Sequence, residues 1–173
     1  MTAHVPVLPV SYLGKGVVVT GASRGIGRVL AKGFAAAGAK TLFVARRESE
    51  LRELEDEIHG TGYEGRGFAA DLGVPAGVDA MLEAVMAELG GVDVLINNVG
   101  VAGPVAPIEE TALDDWQQTI AVNLTSAFLA IRGVVPDMKR RGGGSIINIG
   151  SINGKAPFAF RSSYAATKMG MVG

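Results

Sequence analysis

Apolar residues fall along this chain in two alternating patterns: short continuous runs, and longer stretches with apolar positions every three or four residues. The first run, Gly16–Thr20 (GVVVT), leads into a glycine-rich turn, and a helical pattern follows from about Gly25 to Ala37. Gly38 stands where a left-handed residue is expected to close that helix. Thr41–Ala45 (TLFVA) reads as the second strand. The helix after it, Glu48 to His59, is charged outside and carries Leu51, Leu54 and Ile58 at helical spacing. Gly65–Ala70 is a weaker third strand ended by Asp71, and Pro75 suits the first turn of a helix through Leu89. Val92–Ile96 (VDVLI) is a fourth strand, apolar apart from Asp93, as a strand covered on both faces should largely be. A long helical region starts near Asp114 and Asp115 and reaches about Arg141, with a kink or early end expected at Pro136. Ser145–Ile149 (SIINI) is a fifth strand, and a last helix starts near Ser162 or Ser163 and runs to the end of the chain.

Strand and helix thus alternate five times without internal repeats or low-complexity linkers. The pattern predicts one α/β domain over residues 1–173, a parallel sheet with helices on both faces. Ligands of such sheets sit beyond the carboxyl ends of the strands. Chemistry should therefore lie just after each strand.

Composition sets the outer limits. With 48% apolar and 19% charged residues in 173, the chain can bury one ordinary core. A net charge of −1 favours no polyanionic partner such as nucleic acid, yet leaves room for a local phosphate site. The absence of cysteine removes disulfides, thiolate metal sites and thiol catalysis together, and fits a reducing cytoplasm. No metal site is expected. The leader Met1–Gly16, with Pro6 and Pro9, does not read as a signal peptide, and no apolar run approaches membrane-spanning length. A cytoplasmic protein without a membrane partner is the expectation.

The turn Thr20-Gly21-Ala22-Ser23-Arg24-Gly25-Ile26-Gly27 joins a strand to a helix. Glycines there permit a tight turn and a close approach of pyrophosphate to the backbone, and the helix N-terminus offers free N–H groups. The spacing is G-x-x-x-G-x-G, not the commoner G-x-G-x-x-G, and plain chain reversal would also use such a turn. At the end of the second strand, sites for NAD usually hold an acidic residue for the ribose 2′-hydroxyl. Here Ala45 is followed by Arg46 and Arg47, which suits a 2′-phosphate, with Arg24 placed to help from the turn. The lesser reading of Arg46 and Arg47 is as solvated charges at a helix start. NADP(H) is the preferred expectation and NAD(H) the alternative. After the fourth strand, Asn97-Asn98-Val99-Gly100 offers amides to tie strand ends together and a glycine that leaves room for a flat ligand.

Tyr164 and Lys168 are four apart on a predicted helix and share one face. A phenol, with a reference pKa of about 10, is a poor base at neutral pH, and a neighbouring ammonium favours the phenolate. Such a pair can take a proton from an alcohol or return it to a carbonyl oxygen. Ser151, just after the fifth strand and thirteen residues before Tyr164, could hydrogen-bond the same oxygen. Asn123 is the fourth candidate, in the helix between strands four and five. Taken singly, each is as readily a cap serine, a helix-surface amide or a chance surface pair.

Together these residues resemble the short-chain dehydrogenase/reductase family. The match covers T-G-x-x-x-G-x-G at Thr20–Gly27, Asp71, N-N-x-G at Asn97–Gly100, Asn123, Ser151 and Y-x-x-x-K at Tyr164–Lys168, in order from about residue 14 to the end. Val99 departs from the alanine usual in N-N-A-G. The resemblance implies a Rossmann-type doubly wound sheet of strand order 3-2-1-4-5 and hydride transfer between a nicotinamide and a carbonyl or alcohol. It implies Tyr164 as acid/base, Lys168 supporting it and bonding the nicotinamide ribose, Ser151 orienting substrate, and Asn123 holding a water in a proton relay. Gly21, Ser23, Arg24, Gly25, Ile26 and Gly27 would line the phosphate and ribose site, with Arg46 on the 2′-phosphate. Asp71 and Leu72 would meet the adenine, and Asn98 and Gly100 the ribose. Family members continue past Lys168 for two more strands and a substrate cover, so Gly173 reads as the end of a portion of a longer enzyme. The substrate could be a 3-oxoacyl thioester, sugar, ketone or steroid. A homodimer or homotetramer through the helices at Val122–Arg141 and Tyr164 is expected for the complete protein. The competing reading is a non-catalytic NADP(H)-binding or sensor module.

Overall fold

A computed structural model describes residues 11–173, so the prolines of the leader lie outside the described residues. Five strands, β1 (Gly16–Thr20), β2 (Lys40–Ala45), β3 (Gly65–Ala69), β4 (Val94–Asn97) and β5 (Ser145–Asn148), form one parallel sheet in the order β3-β2-β1-β4-β5. This is the predicted 3-2-1-4-5 topology. β1 lies at the centre, and all five of its residues are buried. Its alternate residues feed two cores. Val17 and Val19 meet Phe34 of helix α1 (Gly25–Ala36) and Leu51, Leu54 and Ile58 of α2 (Glu48–His59) on one face. Val18 faces Val78, Met81 and Val85 of α3 (Pro75–Leu89) and Val134 of α5 (Ser126–Arg140) on the other. Burying each such side chain contributes about 1.5–3 kcal/mol, which is why a run without polar alternation is stable only at the sheet centre.

The helix boundaries expected from the sequence hold to within a residue for the first three helices, and Gly38 takes a φ of +89° after α1. Three expectations shift. β4 begins at Val94, because the two preceding residues are engaged elsewhere: the Val92 N–H donates to the Asp137 carboxylate and the Asp93 carboxylate accepts from Gly16. Pro136 neither ends nor interrupts the long helix, which continues to Arg140. Both Pro136 and Arg132, whose carbonyl loses its helical donor, are solvent-exposed, so water can serve that oxygen. The irregularity lies earlier instead. α4 (Leu113–Ile120) passes into a π-helical segment, Ala121–Thr125, before α5 begins.

Leu113–Arg140 is thus one 28-residue helical rod, long and apolar enough by length and composition alone to cross a membrane, although it holds no continuous apolar run. The apolar residues are dispersed among Gln, Asn, Thr and Ser, so no single run betrays them. Here Ala130, Val134 and Met138 of the rod pack into the second core. The final helix, α6 (Ser162–Gly170), follows a short 3-10 turn at Ile152–Gly154.

Candidate active site at the carboxyl end of the sheet

A cleft of about 740 Å³ opens where the chain leaves β1, β2, β3 and β4. Its floor is the glycine-rich turn. Gly21 has a φ of +67°, and a Cβ there would come within 2.7 Å of the Val99 Cα, so only glycine fits. Gly25 opens α1 at a φ of +56° with open space where a side chain would stand. Gly27 lies beneath the cleft, where a Cβ would meet the Gly21 carbonyl at 2.4 Å; it brings helix and turn together. The first turn of α1 holds no acidic side chain to compete for its N–H groups.

Thr20 and the asparagines hold this turn against β4. The Thr20 hydroxyl donates to the Ile96 carbonyl at 3.2 Å and accepts from the Asn98 and Val99 N–H groups at 3.0 and 3.1 Å. The Asn98 amide donates to the carbonyls of Thr20 and Gly21 at 2.9 and 3.0 Å. Asn97 donates to the Asn148 side chain at 2.9 Å, tying β4 to β5. The expected strand-end ties are therefore present.

Around the cleft stand Gly21, Ser23, Arg24, Gly25, Ile26, Arg46, Asp71, Leu72, Asn98 and Gly100, all predicted from the sequence. Tyr164, Lys168 and the buried Gly27 are predicted cofactor contacts that do not line it. Arg47, Ala70 and Val122 line it as well. Asp71 is braced by its own Asx turn, its carboxylate accepting from the Gly73 N–H at 2.9 Å. Arg24 and Arg46 have no ion-pair partner among the described residues, whereas Arg47 pairs with Glu50.

The four catalytic candidates lie beyond Gly100. A Cβ on Gly100 would stand 3.4 Å from the Asn123 Oδ1 and 3.9 Å from the Lys168 Nζ. Asn123, within the π-helical segment, is buried; its Oδ1 accepts from the Val101 N–H at 2.7 Å and its Nδ2 donates to the Val101 carbonyl at 2.9 Å. The same Nδ2 donates to Thr167 Oγ1 at 3.2 Å, and that hydroxyl donates to the Tyr164 carbonyl at 2.7 Å. Thr167, fully buried between Tyr164 and Lys168, thereby anchors the helix carrying both. Nothing in its sequence context marked it. Lys168 is only 5% exposed; its Nζ donates to the Ile149 carbonyl at 2.7 Å and lies 5.8 Å from the Tyr164 ring centre. Burial pushes the Lys168 ammonium below the ordinary lysine value. Ser151 caps the 3-10 turn after β5, its Oγ accepting from the Asn153 N–H at 3.2 Å, which leaves the hydroxyl proton available. The structure links Asn123 through Thr167 to the Tyr164 main chain, places Lys168 near the Tyr164 ring and sets Ser151 on the neighbouring strand end.

The chain is similar in sequence and fold to known proteins. D-threitol dehydrogenase of Mycolicibacterium smegmatis is 39% identical over 160 residues, 92% of this chain and 61% of that protein. The 3-oxoacyl-(acyl-carrier-protein) reductase of Salmonella typhimurium is 37% identical over 94% of this chain and 65% of its own length. The chain therefore spans somewhat under two thirds of these curated relatives. Among solved structures, a metagenomic short-chain oxidoreductase in complex with NADP superposes with a TM-score of 0.89 at 39% identity, covering 92% of this chain and 72% of that one. L-sorbose reductase of Gluconobacter frateurii, complexed with NADPH and L-sorbose, gives 0.89 at 38% identity over 93% and 61%. The short chain dehydrogenase family model runs along residues 15–173, and the chain belongs to the short-chain dehydrogenase/reductase family.

Proposed function

We propose that this chain forms the NADP(H)-binding and acid/base portion of an oxidoreductase that moves a hydride between the nicotinamide and a carbonyl or secondary alcohol. The observation that carries the reading is the continuity between cleft and catalytic group: Gly100 lines the first and abuts Asn123 and Lys168 of the second. The donor set fits a phosphorylated dinucleotide. Open N–H groups at the start of α1 suit a pyrophosphate, and Ala45 with Arg46 and Arg24, which have no ion-pair partner among the described residues, suits a ribose 2′-phosphate. Arg46 is the reader of that phosphate, and Asp71 and Leu72 border the adenine. When bound, the nicotinamide supplies or accepts the hydride.

The protein's own part is proton handling and orientation. Tyr164 gives a proton to the substrate oxygen during reduction and takes it back during oxidation. Ser151 donates its free hydroxyl proton to the same oxygen, fixing its position and steadying the charge that develops on it. Lys168, held dry against the Ile149 carbonyl, supports the phenolate and meets the nicotinamide ribose. Asn123 has both amide protons committed, to the Val101 carbonyl and Thr167, so any water it holds toward Lys168 donates to one of its oxygens, within the irregular π-helical turn. Apolar Ile152, Phe158 and Phe160 stand exposed on the segment between Ser151 and Tyr164, where substrate classes such as 3-oxoacyl thioesters, ketones, sugars or steroids would be sorted. The exposed Phe128 of α5 and Met169 of α6 support the proposal of a homodimer or homotetramer formed through those helices.

Exchanging Tyr164 for Phe removes the proton and leaves the helix intact. Carbonyl reduction by the full-length protein should fall by about three orders of magnitude or more while NADPH binding stays within twofold. Turnover that survives the exchange would remove Tyr164 from the acid/base role and favour a binding module.

A further inference from the structure

Three guanidinium groups, those of Arg24, Arg46 and Arg47, line the part of the cleft where β1 and β2 end. They are not equivalent. Arg47 is ion-paired to the Glu50 Oε1 three residues on, in the first turn of α2. Glu50 also stands beside the glycine-rich turn: the Ser23 hydroxyl lowers its carboxyl most, burial opposes this next, and the Arg47 and Arg24 guanidiniums add to Ser23, so the carboxyl lies below the ordinary glutamate value. Its Oε2 is buried without a hydrogen-bond partner, so this carboxylate is not merely a solvated charge at a helix start. A second carboxylate in the same turn, Glu48, takes Arg52 instead and points its pair along the exposed surface of α2.

Such an arrangement has a cost for a ligand carrying a 2′-phosphate. A fixed negative charge beside the arginines opposes the phosphate, and it occupies one of the cations that could receive it. We propose that Glu50 is a specificity-determining residue that withholds Arg47 from the 2′-phosphate, so that Arg46 and Arg24 alone read it and the preference for NADP(H) over NAD(H) is held below what three arginines would give. The proposal rests on the cofactor reading above. The ligand chemistry is a ribose-borne phosphomonoester, and a cofactor lacking it should not sense Glu50.

The test is a double-mutant cycle on the full-length protein, titrating NADPH and NADH separately by nicotinamide fluorescence in the parent, Glu50→Gln, Arg47→Ala and the double variant. Gln keeps the size of the side chain and removes its charge. Glu50→Gln should tighten NADPH roughly two- to fivefold, the range expected for one partly exposed charge, with NADH unchanged. Arg47→Ala alone should change NADPH binding less than about twofold, and when combined with Glu50→Gln it should abolish the gain. Weaker NADPH binding in Glu50→Gln, or an equal change for both cofactors, would make Glu50 a strut between the two loops and overturn the proposal. Arg47→Ala weakening NADPH as strongly as Arg46→Ala would also overturn it, since Arg47 would then leave Glu50 for the phosphate. A parent protein that binds NADH as tightly as NADPH would instead remove the cofactor reading, and the proposal with it.

Discussion

At the amino ends of β1 and β4, Asp93 accepts from the Gly16 N–H at 2.9 Å, pairs with Lys15 at 3.1 Å and pairs with Arg141 at 3.1 Å. Asp137 beside it accepts from the Val92 N–H and pairs with Arg140. At the carboxyl ends of β1 and β2, Arg24 and Arg46 have no ion-pair partner among the described residues, and the buried Lys168 ammonium donates to the Ile149 carbonyl just beyond β5. One end of the sheet spends its charges on its own loops, and the other keeps cations in reserve around a cleft. The difference separates charges that hold the fold from charges that await a ligand, even though β1 alone runs from one set to the other.

The comparison can be broken first at the carboxyl end. Replacing Ala45 by Asp places a carboxylate at the end of β2, among Arg46 and Arg47. NADPH affinity should fall by about thirtyfold or more and NADH affinity should hold or rise, as read by separate titrations. An unchanged ratio would mean that the β2 loop does not meet the ribose. At the amino end, Asp93→Asn should leave both cofactor affinities alone but lower unfolding free energy by about 1–3 kcal/mol, measured by urea denaturation. Burial alone would raise the Asp93 carboxyl; the Gly16 N–H, Lys15 and Arg141 outweigh it and hold it below its ordinary value. Its folded value being the lower one, its stabilisation is present above the unfolded value, near 3.8, and is lost as pH falls below it. The Asp93→Asn variant should therefore show a shallower loss of stability below about pH 4. The smallest effect belongs to Arg52→Ala. Its pair with Glu48 is largely solvent-exposed, so neither the unfolding midpoint nor cofactor affinity should move beyond experimental error.

Much of this division was legible in the residue pattern. Continuous apolar runs marked the central strands because a parallel sheet covered on both faces needs no polar alternation, and the glycine turn, Ala45-Arg46 and Gly100 stood where strand ends place them. Less legible was whatever depends on partners distant in the chain. Val92 and Asp93 read as strand residues, yet Asp137 and Gly16 claim them. Pro136 promised a break, but its exposed position let the helix pass, while the π-helical turn at Ala121–Thr125 has no glycine or proline to announce it. Thr167 and Glu50 looked like ordinary helix residues, since only the fold brings Asn123 to the one and Ser23 to the other.

The central claim, that Arg24 and Arg46 at the carboxyl end of the sheet await a phosphorylated nicotinamide dinucleotide, is tested most directly by titrating the parent and the Arg46→Ala variant with NADPH and NADH. The parent should bind NADPH at least about tenfold more tightly than NADH, and Arg46→Ala should erase most of that margin while leaving NADH binding unchanged. Equal affinities in the parent, or a variant that keeps the margin, would contradict it.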